Sequence, residues 1–175
     1  MRLTVLLTLL DVASAVVLAV TLYALTREED PDLALLALSC RLTEGVLNAV
    51  GAVRSLQLLS VAMASTTGAP GAAAAQAFGA LLLQQSGSGF VIGASCFAVG
   101  STIFSYLFLR ARRIPIWLAW LGVLSSALLV VALPVQLAGF LSGPVTSYVW
   151  IPVALFQVAL ALWLIIKGVA APVTR

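Results

Sequence analysis

Histidine is absent from this sequence, and cysteine occurs only twice in 175 residues. Without an imidazole group, a serine–histidine catalytic site and the usual metal-dependent protease sites are excluded. The two cysteines, Cys40 and Cys96, do not complete a ligand set for zinc or haem. We expect them to pack as small, polarizable side chains, and we expect no metal and no cofactor.

Charged residues are scarce as well. They make up 9% of the chain, whereas 62% of the residues are hydrophobic. Soluble domains contain about one quarter charged residues, so this composition predicts an integral membrane protein. The length suits an all-α, polytopic transmembrane helical bundle of about five spanning helices and leaves no room for a soluble catalytic domain. The nine basic residues are scattered through loops and spans, so we expect the lipid bilayer as partner and no nucleic acid.

Five apolar stretches predict the spans of a single domain, residues 1–175. Their approximate bounds are 3–25, 33–64, 88–110, 114–136 and 147–167. The first stretch continues well beyond any cleavage-site pattern, so we expect a retained span rather than a signal peptide. The charged loop after it ends in Asp30 and Pro31, which suit the N-cap and the first turn of the second helix.

An alanine-rich stretch, residues 71–85, lies between the second and third spans. As a helix it would be about 22 Å long, too short to span comfortably, and Gly87 and Gly89 separate it from the third span. It is a helix on the membrane surface, a half-membrane re-entrant piece or an extension of the third span. We favour one short surface or re-entrant helix, because a continuous helix to Arg110 would be about 60 Å long.

The second span carries several polar residues. Arg41, Glu44 and Asn48 share one face at 100° per residue. A charge at the bilayer centre costs about 3 to 10 kcal/mol, depending on the scale, so such groups usually face the bundle interior and have partners. We predict an intramembrane polar cluster that also contains Asp11 of the first span and Gln157 of the fifth, whose amide is expected to bond across to another helix.

The depth of the second span decides which residue pairs with Asp11, because this stretch is longer than the hydrocarbon core. If residues 33–53 cross the core, Asp11 lies level with Arg41 and Glu44. A shift by about two turns places it level with Arg54 instead. We favour the first frame and keep Arg54 as a possible additional partner. Asp11 either accepts hydrogen bonds from a neighbouring helix or forms an ion or proton site.

Small residues recur on one face of the third span and predict close helix packing. The positions, spaced i, i+4, i+7 and i+11, are Gly89, Gly93, Cys96 and Gly100. The hydroxyl groups of Ser101, Thr102 and Ser105 come next on the same helix. Each of them can bond back to a carbonyl one turn earlier, so none of them needs a ligand.

The loop Arg110–Arg113 is the strongest orientation signal. It shares one side of the predicted bundle with the first loop and the C-terminus, and this side holds six basic residues, whereas the other holds only Arg2. The positive-inside rule therefore predicts that the C-terminus and this loop are cytoplasmic. With five spans, the N-terminus then lies outside.

Several segments, spread over nearly the whole chain, point to a known family. They are Asp11, Leu35–Glu44, Gly87–Gly93, the Arg110–Pro115 turn and Ala159–Gly168, of which an Arg-x-x-Glu step and a Gly-x-Gly-Phe motif are the most specific. These segments resemble the bacterial membrane family catalogued as domain of unknown function 4386. The resemblance implies a multi-pass protein of the inner (plasma) membrane whose intramembrane charges, Asp11, Arg41 and Glu44, have no established role.

The chain departs from that family in two respects. Members that resemble it usually have a further span before Asp11, so we expect a shortened form. The position before Gly87 is often histidine in such sequences and is Ser86 here, which weakens any proposal for imidazole chemistry.

Three classes of function fit the sequence. We favour a non-enzymatic protein whose polar cluster is structural, including a subunit of a larger membrane complex. The alternative is a small proton- or ion-coupled transporter that uses Glu44 and Asp11, with Arg41 as counter-charge. Five spans without an internal repeat argue against a self-contained carrier, although a homodimer would supply the symmetry. The third class is an intramembrane enzyme in which the two carboxylates perform acid–base chemistry on a lipid-like substrate.

Overall fold

Helices account for almost all of the structure. The computed structural model describes residues 2–66, 72–140 and 145–167, and no strand is present within these ranges. In chain order the helices are α1 (Arg2–Thr26), α2 (Pro31–Thr66), α3 (Ala72–Ala111), α4 (Ile116–Leu137), α5 (Val145–Tyr148) and α6 (Trp150–Lys167). The prediction of an all-α fold is confirmed.

Four helical segments of the described residues are long and apolar enough to cross a membrane. They are Pro31–Leu58, Gly89–Ala111, Ile116–Leu137 and Thr146–Lys167, and α1 adds a shorter apolar stretch, Leu10–Thr26. Each of the five overlaps one predicted span, although the first apolar stretch begins later than predicted and the second ends earlier. The fold is therefore a polytopic helical bundle with four candidate spans and one shorter apolar helix.

The separate helix predicted at 71–85 is not observed, because α3 continues through this stretch without a break and is 40 residues long. Residue 71 itself lies outside the described ranges. Gly87 and Gly89 are inside α3, where each glycine costs only about 1 kcal/mol relative to alanine. The extension packs on α2, which is itself 36 residues long: a Cβ at Gly79 would lie 3.3 Å from Cγ1 of Val61. This packing outweighs the weak tendency of the glycines to end the helix.

Hydrogen bonds and ion pairs fix the connection between α1 and α2. The N–H of Leu33 donates to Oδ1 of Asp30 at 3.1 Å, so Asp30 caps α2 as predicted. Asp30 also lies 3.7 Å from Arg110, and Glu28 pairs with Arg113. Both ion pairs tie this first loop to the loop between α3 and α4. We call this end of the bundle the arginine end, and the other the far end.

The hydrophobic core has two clusters. The cluster nearer the arginine end contains Leu22, Ala37, Phe104, Phe108, Ile114, Leu118, Ala119 and Phe156. The cluster nearer the far end contains Val91, Ala94, Phe97, Ala98, Leu129, Leu133 and Val153. Arg41 lies at the junction of the two, because it comes one turn after Ala37 and contacts the ring of Phe97.

Three helices approach one another closely at Gly122 of α4. A Cβ at this position would lie 2.5 Å from Cε2 of Phe156 on α6 and 2.6 Å from Oγ of Ser105 on α3. The absence of a side chain therefore allows α3, α4 and α6 to meet at this point.

We expect Gly122→Ala to destabilise the bundle by about 1–3 kcal/mol, because the added methyl group displaces the Phe156 ring or Ser105. Gly51→Ala is the matched control, since nothing lies within 4 Å of its Cβ position. That change alters only helix propensity and should stabilise α2 by up to about 1 kcal/mol. Thermal unfolding in detergent micelles measures both effects. Equal unfolding midpoints for the two variants would contradict the close approach of the three helices.

Candidate functional site

An ion pair lies inside the bundle on α2. Arg41 and Glu44 are three residues apart and therefore share a face of the helix. Nη1 of Arg41 donates a hydrogen bond to Oε2 of Glu44 at 2.6 Å, and the two side chains are only 7% and 14% exposed. Charge-assisted hydrogen bonds of this length are among the stronger side-chain interactions. The two charges lie in apolar surroundings and are opposite, so the pair as a whole has no net charge.

Two features of α3 accommodate the Arg41 side chain. Cζ of Arg41 lies 4.7 Å from the centroid of the Phe97 ring, which is a cation–π contact. A Cβ at Gly100 would lie 3.0 Å from the carbonyl oxygen of Ala37 and 3.1 Å from Cγ of Arg41, so glycine lets the α3 backbone lie against the arginine stem. Nε of Arg41 is buried and has no acceptor among the described residues. The protein thus leaves one guanidinium donor unsatisfied.

The other small residues predicted to pack also lie along α2. A Cβ at Gly93 would be 3.5 Å from Cβ of Leu47, and a Cβ at Gly89 would be 3.6 Å from Nη1 of Arg54. Cys96, a half-buried free thiol, lies between them and Gly100 in the sequence. The three glycines of this face are therefore all placed where α3 meets α2.

Two cavities adjoin the ion pair. The arginine-end cavity, of about 230 Å³, has Arg41 in its wall together with residues of α1, α3 and α6. The far-end cavity, of about 240 Å³, has Glu44 and Asn48 in its wall together with residues of α3 and α6. Gln157 lines both cavities. The bonded Arg41–Glu44 pair therefore has one residue in the wall of each cavity, and Gln157 belongs to both walls.

Asp11 does not contact the ion pair directly. Its side chain is exposed, and within the described part of the chain it forms no ion pair and no hydrogen bond. It does lie within electrostatic range of both Arg41 and Glu44. It also lines a third cavity, of about 460 Å³, together with Asn48 and Arg54. The structure thus brings Asp11 near the pair but leaves it facing a space that it shares with Arg54.

Gln157 lies at the surface of α6 rather than in a closed interior. Its side chain is exposed and has no hydrogen-bond partner among the residues that the structure describes. The bond from its amide to another helix is not observed among these residues, and its place in the polar cluster stays a prediction. The residue instead borders the arginine-end and far-end cavities, whose walls also include Arg41 and Glu44.

Two hydroxyl groups also differ from expectation. Thr102 donates to the carbonyl of Ala98 at 2.7 Å, as predicted. Ser101 and Ser105, by contrast, have no hydrogen-bond partner in the described ranges, so the possible bond back to the helix is not observed for them. Both line the arginine-end cavity and face it rather than their own backbone. Ser101 and Ser105 are four residues apart and follow Gly100 directly, so they share a face of α3. This spacing is the feature of the sequence that could have predicted their position at the cavity.

The chemistry available at this site is that of a carboxylate, a guanidinium group and neutral donors beside two cavities. A carboxylate can exchange a proton, and a guanidinium group can hold an anion. Within the described residues, no group of three or more cysteine, aspartate or glutamate side chains is placed to hold a metal ion. Proton exchange and anion binding are therefore two processes that these side chain types allow.

Residues 1–168 match the model of a protein family described as a domain of unknown function (DUF4386). The matched region includes the ion pair and the walls of all three cavities. No curated protein and no solved structure matches the chain.

Proposed function

The chain belongs to the DUF4386 family, whose description assigns no activity, and we propose from the site itself that this membrane protein is a small proton-coupled carrier. The proposal depends on one observation, the position of the Arg41–Glu44 pair between the arginine-end and far-end cavities. A purely structural ion pair requires only close packing around it. Carriers, in contrast, hold their coupling site near the middle of the bundle, between two routes of access.

Glu44 is the group that exchanges the proton. Once protonated, it carries no charge and no longer balances Arg41, so the interaction between them weakens. Because Glu44 borders the far-end cavity and Arg41 the arginine-end cavity, separation of the pair changes the walls of both cavities together. Gln157, which borders both cavities, offers an amide to either side chain as they part.

The excess of arginine at the arginine end supports an orientation with that end in the cytoplasm. Glu44 then exchanges protons with the outer side through the far-end cavity, and Arg41 borders the cavity nearer the cytoplasm. A bacterial plasma membrane, which maintains a proton gradient, fits this direction. Carriers often contain two structurally related halves, and a homodimer would supply the second half.

The test is proton flux into proteoliposomes that contain a pH-sensitive dye. Wild-type protein should dissipate an imposed pH gradient faster than protein-free vesicles, and Glu44→Gln should reduce the rate to the protein-free level. The matched control is Glu29→Gln, which changes a carboxylate in the first loop, outside the candidate spans. Each variant is checked for its unfolding midpoint in detergent. Unchanged flux in Glu44→Gln would rule out the carrier, and so would a wild type with no flux above background both without and with a small carboxylate such as benzoate on both sides of the membrane.

A structural subunit of a larger membrane complex is the second candidate, and the position of Asp11 favours it. An exposed carboxylate with no partner among the described residues is costly in hydrocarbon. A helix of another chain that supplies a cation would remove this cost. Under this proposal, extraction with a mild detergent should yield a partner at fixed stoichiometry, and Asp11→Asn should release it. A chain that purifies alone and unchanged by Asp11→Asn would exclude this role.

A further inference from the structure

The arginine-end cavity combines an apolar body with a small polar region. Eight of its lining residues are apolar and come from α1, α3 and α6, and four are polar: Arg41, Ser101, Ser105 and Gln157. A pocket with mostly apolar walls and a few convergent polar groups is the usual form of a small-molecule site.

Three polar side chains of this cavity have no partner among the described residues. They are Ser101, Ser105 and Gln157. Arg41 lines the cavity as well, although its Nε, which has no acceptor there, is enclosed by protein. Several other hydroxyl groups of the described helices, such as those of Ser95 and Thr102, donate to a backbone carbonyl, whereas the buried hydroxyl of Ser126, outside this cavity, has no partner either. Ser105 is only 2% exposed and Arg41 7%, so bulk water does not satisfy them. Buried groups of this kind are normally bonded.

All four groups can donate a hydrogen bond, and Arg41 can only donate. The complementary ligand is therefore rich in acceptors, and next to a guanidinium group it is an anion. The apolar part of the cavity includes the rings of Phe104, Phe108 and Phe156. These rings suit an aromatic or short alkyl body.

We propose that this cavity binds a small monocarboxylate with an apolar body, with the carboxylate on Arg41 and with uptake of one proton by Glu44. This inference rests on the proposed carrier function and names its substrate class. It also gives the charge balance: the substrate anion replaces the Glu44 carboxylate as the counter-charge of Arg41, and the proton neutralises Glu44. The site carries no net charge before and after binding.

The groups around Glu44 are consistent with this exchange. Arg41 faces it on the same helix, and Asp11 lies within electrostatic range from α1. The residues that α3 and α6 contribute to the far-end cavity are all uncharged. Once Glu44 is neutral, Arg41 has no negatively charged partner and can bind an anion. Asp11 does not replace Glu44, because it is too far away to form an ion pair with Arg41.

The test uses isothermal titration calorimetry on the purified protein in detergent micelles, with benzoate as the probe. Benzamide, which has the same shape but no charge, and benzylamine, which is a cation, are the comparison ligands. Benzoate should bind at least about tenfold more tightly than either. Titrations at one pH in two buffers of different ionisation enthalpy should show about one proton taken up per benzoate in the wild type and none in Glu44→Gln.

Substitutions in the cavity identify the site. Ser101→Ala and Gln157→Leu should each weaken benzoate binding by about fivefold to tenfold. Ser95→Ala should leave it unchanged, because the Ser95 hydroxyl bonds to the carbonyl of Val91 and does not line the cavity. None of these residues holds the core together, so folding is expected to persist.

The outcomes separate the two proposals. Benzoate binding without proton flux in proteoliposomes supports the site and removes the carrier. Proton flux without benzoate binding retains the carrier and overturns this substrate class. Equal binding of benzoate and benzamide, or the same loss in Ser101→Ala and Ser95→Ala, also overturns the assignment.

Discussion

Arg41→Ala should lower the free energy of unfolding by about 3–5 kcal/mol, because it removes one partner of a buried ion pair and strands the other. Glu44 is only 14% exposed, so water does not replace the lost guanidinium group. The contact with the Phe97 ring is lost as well. Titration with sodium dodecyl sulphate in mixed micelles, followed by circular dichroism, measures the loss.

A second substitution isolates the stranded charge. In Arg41→Ala combined with Glu44→Gln, neither position of the pair carries a charge, and a large part of the lost stability should return. Arg54→Ala is the control for removal of an arginine from α2, since Arg54 is half-buried and forms no ion pair with the described residues. It should change stability by less than about 1 kcal/mol. If Arg41→Ala is as stable as Arg54→Ala, the pair does not stabilise the bundle.

The pair itself could be predicted from the sequence. Arg41 and Glu44 lie on the same helix three residues apart, so helix geometry alone brings their side chains together. Asp11 and Gln157 lie on other helices, and their distance from the pair depends on how each helix is rotated and how deep it lies. Those quantities depend on packing. This is why the sequence could suggest that both residues belong to one cluster but could not show that they face cavities instead.

The helices could be predicted more fully than their ends. Long apolar runs determine the spans, because backbone groups in hydrocarbon must bond within a helix. The break expected near Gly87 and Gly89 depended on local propensity alone. In the structure the extension of α3 lies along an equally extended α2, and contacts such as that of Gly79 with Val61 maintain the helix. Local signals of about 1 kcal/mol do not decide a helix boundary when a neighbouring helix is available.

A carrier requires α6 to be attached to the rest of the bundle. In an 18-residue apolar stretch of its span only 11% of the residues are buried, against 50% in the corresponding stretch of α3. Along α6, Val153 and Phe156 are the buried residues. Gln157, the residue common to the arginine-end and far-end cavities, is the direct neighbour of Phe156. The packing of Phe156 against the bundle therefore holds Gln157 in the walls of both cavities. A carrier requires these walls to be in place.

Phe156→Ala should cost about 3 kcal/mol of stability and should detach α6. Lipid chains are as apolar as the protein interior, so helices associate in the membrane through close packing rather than burial from water. The Phe156 ring is 4% exposed, and its loss leaves a cavity beside Gly122 and Ser105. The lost packing contacts around this cavity lower the free energy of unfolding. The free energy of unfolding and amide exchange in α6 measure the effect together.

Leu155→Ala is the matched control, because Leu155 is the preceding residue of α6 and is 63% exposed. It should change stability by no more than about 0.5 kcal/mol and leave amide exchange as in the wild type. In Phe156→Ala, exchange in α6 should rise while exchange in α2 and α3 stays low, because those two helices pack against each other without α6. Equal losses in the two variants would mean that Phe156 does not attach α6, and the walls that separate the two cavities would then have to be held in place by another contact.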